Sequence, residues 1–166
     1  MADTSYLSWP FFEDRHRRRA ADLERFAANA LTGMAGHADD DDSLDAACRA
    51  IVRRLGGAGL LEPCCVMAPD GAFDVRSLCL SRDILARHAG LADFAFAMQG
   101  LGTGPISLFG NSAQRQAYLP PVLRGERIAA FALSEPQAGS DVGAIETTAR
   151  RDSDGYVLDG TKTWIS

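Results

Sequence analysis

Residues 131–142 read Phe-Ala-Leu-Ser-Glu-Pro-Gln-Ala-Gly-Ser-Asp-Val, and no other stretch of the chain is better suited to chemistry. Hydroxyls stand at Ser134 and Ser140, Gly139 loosens the loop between them, and an apolar run of strand length leads in from Ile128. A strand that opens into such a loop frees backbone N–H groups, which can bind an anion or the polar edge of a planar ring. Further along, Lys162-Thr163-Trp164-Ile165-Ser166 adds an aromatic face beside more hydroxyls. An aromatic slab with neighbouring donors suits a flat heteroaromatic cofactor. A polar loop and a core tryptophan in a small sheet fit the same residues, and spacing alone leaves both readings open.

The elements that must hold these segments fall into two parts. Residues 1–127 read as a helical domain and residues 128–166 as the start of a β domain. A first helix is expected from Phe11 to Leu31, with Leu23, Phe26, Ala27, Ala30 and Leu31 on its buried face and Gly33 and Gly36 stopping it. The acidic run Asp39–Asp42 reads as solvated, without the ligand layout of a calcium loop. Ser43 is expected to cap a second helix ending at Gly56–Gly57, and Asp74 a third, with Val75, Leu78, Cys79, Ile84 and Leu85 turned inward. A fourth helix from about Asp93 to Phe109 is so apolar that it should lie buried at the centre of the bundle. Ser112 caps a fifth, broken at Pro120–Pro121. Gly100, Gly102 and Gly104 lack dinucleotide-loop spacing and fit close helix packing.

The period then shortens. Strands are expected at Ile128–Leu133, Ile145–Arg151 and Tyr156–Leu158, with a turn over Asp152–Gly155. Asp159–Gly160 should form a hairpin turn into a returning strand, Thr161–Ser166, which stops without a cap and so reads as a truncated domain. The fold class is α+β: an all-α N-terminal bundle followed by the first strands of an antiparallel β-barrel-like domain.

Of 166 residues, 46% are hydrophobic and 23% charged, so a real core is expected. A net charge of −5 argues against nucleic acid or an anionic membrane as partner. No apolar run is long enough to span a membrane, and Met1–Pro10 lacks a basic region followed by an apolar one, so secretion is not expected. The four cysteines and three histidines have no zinc spacing, so no metal site is expected and the thiols read as free, buried or half-buried, in a reducing cytoplasm.

The sequence from Ala130 to Val142, then Thr147-Thr148-Ala149, then Tyr156 to Ser166, resembles the acyl-CoA dehydrogenase family in order and spacing. Gly57–Leu61, Phe109-Gly110-Asn111, Tyr118-Leu119-Pro120 and Leu123–Glu126 extend the resemblance upstream, so it covers essentially the whole chain. The resemblance implies FAD as cofactor, bound by Phe131, Ala132, Leu133, Ser134, Gly139 and Ser140 and by Trp164, Ile165 and Ser166. It places Trp164 against the flavin ring, the Ser166 hydroxyl at flavin N5, and Ser140 also towards the acyl-CoA substrate. It further implies an electron-accepting flavoprotein partner and a homo-oligomer at full length. Ser134 and Ser166 stand where threonine is more usual, and residues 62–73 depart from the family pattern beside the acyl pocket. The family's catalytic base has no counterpart here, and Glu135 and Asp141 lack the setting of a base, so no catalytic residue is named. The 166 residues alone are therefore expected to have little or no dehydrogenase activity. An acyl-CoA oxidase-like or nitroalkane oxidase-like flavoenzyme and a non-catalytic helical binding module are the competing readings.

Overall fold

The computed structural model of the chain describes residues 3–32 and 41–165. Gly33, Gly36, His37, Asp39 and Asp40 lie outside the described residues, as does Ser166. The chain divides into two compact units, Met1–Ala130 and Phe131–Ser166.

Among the described residues the first unit carries 3-10 turns at Ser5–Ser8 and Glu62–Cys64 and five α-helices: α1 Asp14–Ala30, α2 Asp41–Gly57, α3 Val75–His88, α4 Gly90–Phe109 and α5 Ser112–Leu123. α1 packs on α3, α3 on α4, and α4 on α2 and α5. The core is drawn from the predicted stripes of α1 and α2, with Leu23, Ala27, Ile51, Val52 and Leu55 all buried beside Leu61, Ile84, Leu85 and Phe96.

α1 begins later than the sequence implies, because the Glu13 backbone N–H donates to His16 Nδ1 at 2.9 Å and fixes the first turn there. That bond makes Nδ1 the acceptor, so Nε2 of the fully buried ring carries the proton and donates to Asp74 Oδ2 at 3.0 Å. Asp74 caps α3 as expected, accepting from the Ser77 N–H at 3.3 Å and the Ser77 hydroxyl at 3.0 Å. Partial burial opposes its charge, but the Ser77 donors and His16 outweigh that and hold the carboxyl below its usual range. A lowered pKa means the stabilisation is present above the ordinary aspartate value and is lost as pH falls through the lowered one. Asp74→Ala is expected to cost roughly 1–3 kcal/mol near neutrality. The deficit should shrink once wild type is itself protonated, which urea unfolding at neutral and strongly acidic pH measures.

Several expectations are corrected. α2 starts at Asp41, so Ser43 lies inside it and Asp42 sits exposed in its first turn, where an acid suits the positive end of the helix. α5 is capped by Asn111, not Ser112: Asn111 Oδ1 accepts from the Gln114 N–H and Gln114 Oε1 from the Asn111 N–H, each at 2.9 Å. Pro120 and Pro121 do not break α5; they sit near its end, and the Arg124 N–H still reaches the Pro120 carbonyl at 3.1 Å. Val75 is 62% exposed and Cys79 is exposed, because they start and flank α3 on the side away from α1 and α4, while Leu80 points in.

The largest correction concerns α4. It is not buried all round: Phe94, Leu101, Leu108 and Phe109 are exposed. Its buried face instead carries Gln99, Thr103 and Ser107, four residues apart along one stripe. These satisfy backbone groups that lie outside the α-helices and strands. Thr103 donates to the Cys64 carbonyl at 2.6 Å, Ser107 accepts from the Val66 N–H at 3.1 Å, and Gln99 Oε1 accepts from the Ala129 N–H at 3.0 Å. Gly102 serves close packing, but against an extended segment and not a helix: a Cβ there would lie 2.7 Å from Ala129 Cβ. The 128–133 run is consequently no strand; its Ala129 N–H is spent on Gln99.

Among its described residues the second unit contains one antiparallel hairpin, β1 Thr148–Asp152 with β2 Gly155–Asp159. Thr148 pairs with Asp159 and Asp152 with Gly155, so the turn falls on Ser153–Asp154, inside the predicted segment. The predicted Asp159–Gly160 turn and the returning strand are not formed. Asp159 still belongs to β2, and residues 161–165 run without strand pairing because their hydrogen bonds go to residues 133–135.

Candidate functional site

Glu135 organises the second unit. Its backbone N–H and C=O pair with Ala138 across a tight Pro136–Gln137 turn, at 2.9 and 3.1 Å. Proline at the first corner pre-sets the backbone for such a turn. The turn points the side chain inward, where it is 2% exposed. Oε1 accepts from Lys162 Nζ at 2.8 Å and the Thr147 N–H at 3.1 Å. Oε2 accepts from the Glu146 N–H at 2.8 Å and Gln137 Nε2 at 2.7 Å. The Lys162 ammonium first, then the neighbouring Thr147 and Glu146 groups, hold this carboxyl far below the usual carboxylate range.

Lys162 Nζ also donates to the Leu133 carbonyl at 2.9 Å, and the Thr163 N–H donates to the Ser134 carbonyl at 2.9 Å. The 131–134 and 162–165 segments, distant in sequence, are thus joined side by side. Leu133 and Ser134 are half-buried at the join, while Phe131 and Ala132 lead into it. Trp164 follows directly, 91% exposed and with φ of 57°. A left-handed backbone costs a residue other than glycine about 1–2 kcal/mol, and here it turns a large aromatic face out of the unit. Ile165 is 47% exposed. Gly139 and Ser140 lie on the exposed far side of the turn, and among the described residues no hydrogen bond ties them to the 161–165 segment. Asp141 is used as a cap, accepting from the Gly143 N–H at 3.1 Å ahead of a 3-10 turn at Val142–Ala144.

Residue types point to the two segments but not to the Glu135–Lys162 pair that joins them. The signal was composition: of 17 basic residues, all are arginine except Lys162. Elsewhere the thiols are unremarkable: burial pushes Cys64 and Cys65 upward, away from the reactive thiolate. No group of metal-binding side chains occurs among the described residues, and no described helix is long and apolar enough to cross a membrane.

A helical unit followed in sequence by a unit with an antiparallel hairpin and two stitched loops defines an α+β protein. Residues 13–126 match the family profile "Acyl-CoA dehydrogenase, N-terminal domain" and residues 130–166 match "Acyl-CoA dehydrogenase, middle domain". The chain belongs to the acyl-CoA dehydrogenase family. It is 34% identical over 155 residues to the human mitochondrial short-chain specific acyl-CoA dehydrogenase, covering 92% of this chain and 37% of that protein. It is 35% identical over 159 residues to the 3-(aryl)acrylate reductase of Clostridium sporogenes, covering 94% of this chain and 41% of that protein. The crystal structure of a Bacillus anthracis acyl-CoA dehydrogenase complexed with FAD superposes with a TM-score of 0.66 at 34% identity, covering 93% of this chain and 27% of that one. The chain therefore spans well under half the length of the relatives it matches.

Proposed function

We propose that these residues form the helical domain and the first flavin-holding segments of an FAD-dependent enzyme that oxidises acyl-CoA thioesters to 2,3-enoyl-CoA. The observation that carries this is the join itself: the Thr163 N–H on the Ser134 carbonyl at 2.9 Å brings together the two segments whose residue types suit a planar ring. The exposed indole of Trp164, held in a strained backbone, fits such a ring, since stacking would cover apolar surface that the unit leaves open. FAD, when bound, supplies the hydride acceptor.

The residues present bind and orient. Phe131, Ala132, Leu133 and Ser134 offer backbone groups and one hydroxyl to the polar edge of the ring. Trp164 and Ile165 would cover its face; Ser166 lies outside the described residues, and its hydroxyl at N5 is what the family resemblance implies. Gly139 and Ser140 face the phosphate and thioester side. Neither acid of this loop is the base. Glu135 accepts four hydrogen bonds, which fill its lone pairs, and Asp141 is a cap. In this reading the base lies outside these residues, an electron-transferring flavoprotein takes the electrons, and the assembly is a homo-oligomer. A cytoplasmic setting belongs to it too, since free cysteines suit a reducing compartment.

The test is FAD titration of the purified chain carrying Trp9→Phe, so that Trp164 alone reports. Emission should be quenched after correction for flavin absorbance, Ser134→Ala should weaken binding about fivefold, and acyl-CoA should not bleach the flavin. Unchanged emission at millimolar FAD would sink the flavin assignment.

A further inference from the structure

We propose that Glu135 and Lys162 are positioning residues: as one clamp they set the 131–134 and 163–165 segments against each other in the arrangement that holds the flavin. The inference rests on the flavin reading above. The clamp itself rests on geometry. Lys162 Nζ reaches the Leu133 carbonyl at 2.9 Å and Glu135 Oε1 at 2.8 Å, so one ammonium ties the 162 position to both sides of Ser134. Thr163, the next residue, bonds the Ser134 carbonyl at 2.9 Å, and Trp164 follows. Glu135 in turn fastens the start of the hairpin through the Glu146 and Thr147 N–H groups at 2.8 and 3.1 Å. Displacing either side chain frees Ser134, Thr163 and Trp164 together.

The choice of lysine supports the same view. This sequence uses arginine at every other basic position. A planar guanidinium presents its donors in a fixed fork, whereas an ammonium directs three donors from a single point. A carbonyl and a carboxylate at 2.9 and 2.8 Å from one nitrogen call for the second. Burial raises the stakes, because the Glu135 side chain is 2% exposed and a buried charge without its partner is strongly unfavourable.

Two variants test the clamp, each in the whole 166-residue chain. Glu135→Gln is isosteric but turns an amide N–H towards donors. The Glu146, Thr147 and Thr163 amides should then exchange with solvent at least about tenfold faster, while amides of α3 and α4 stay at wild-type rates. In wild type, after correction for intrinsic exchange, the Thr163 amide should stay protected as pH falls through the ordinary carboxylate range. A carboxyl held low loses its contribution only below that range, whereas Glu135→Gln, which has no charge to lose, should leave Thr163 poorly protected at every pH. Lys162→Arg keeps the charge and loses the geometry. It should weaken FAD-dependent quenching of Trp164 about tenfold, which an effect of charge alone would not do. Wild-type exchange at the three amides in Glu135→Gln, or wild-type FAD affinity in Lys162→Arg, would overturn the clamp. A wild-type chain that ignores FAD removes the flavin reading instead, and amide exchange still decides whether the two segments are clamped.

Discussion

Gly125→Ala should lower the melting temperature of the helical unit by roughly 10 °C. Gly125 has φ of 70°, a region that costs other residues about 1–2 kcal/mol. It also leaves no room for a side chain, since a Cβ there would run into the Val52 carbonyl and lie 2.9 Å from Arg53 Cα. Backbone atoms of a helix cannot step aside as a flexible side chain does, and overpacking of this kind costs about 1–3 kcal/mol more. The facing position behaves alike: a Cβ on Gly56 would meet the Arg124 carbonyl carbon and the Gly125 nitrogen. The end of α2 and the turn after α5 therefore touch backbone to backbone. At Gly125 the backbone and overpacking costs together, about 3 kcal/mol, are a large share of a typical folding free energy of about 5–15 kcal/mol. Gly104→Ala is the control, because a Cβ there meets nothing within 4 Å and alanine is the better helix former. Melting followed by helical circular dichroism should show Gly104→Ala at or above wild type and both junction variants well below. A Gly125→Ala melt within about 2 °C of wild type would mean the junction yields without strain.

What could be read in advance follows from how local each interaction is. α1, α2 and α3 were legible because their buried stripes repeat every three or four residues, and Asp74 is a cap acting on its own helix. The 152–155 turn was legible for the same reason: its chemistry is contained in four residues. Residues 128–133 and 161–165 were misread as strands because an apolar or alternating run predicts strand only if a partner strand takes its backbone groups. Here the Ala129 N–H goes to a glutamine side chain, and the Thr163 N–H to a loop carbonyl. Within the site, residue types pointed to the two segments, but the carboxylate between them was visible only as an acid in a loop. That Glu135 faces inward depends on the Pro136–Gln137 turn and on Lys162, 27 positions away, and no local pattern encodes a contact of that span.

α4 shows the same limit at its sharpest, and its two phenylalanines give the test. Phe96→Ala should destabilise the helical unit by about 3–5 kcal/mol, whereas Phe109→Ala should leave stability within about 0.5 kcal/mol of wild type. Phe96 is fully buried and heads the large side chains of the core, while Phe109, at the end of the same helix, is 86% exposed. Composition cannot distinguish them, since apolar residues occur on every side of α4. What orients the helix is polar. Gln99, Thr103 and Ser107 must face Ala129, Cys64 and Val66, whose buried or part-buried backbone groups they satisfy. That requirement fixes the rotation, carries Phe96 into the core and leaves Phe94, Leu101, Leu108 and Phe109 outside. Urea unfolding of the two variants measures the difference. Equal losses would mean that α4 is held by its apolar surface on all sides, and that the polar seam does not decide which face is inside.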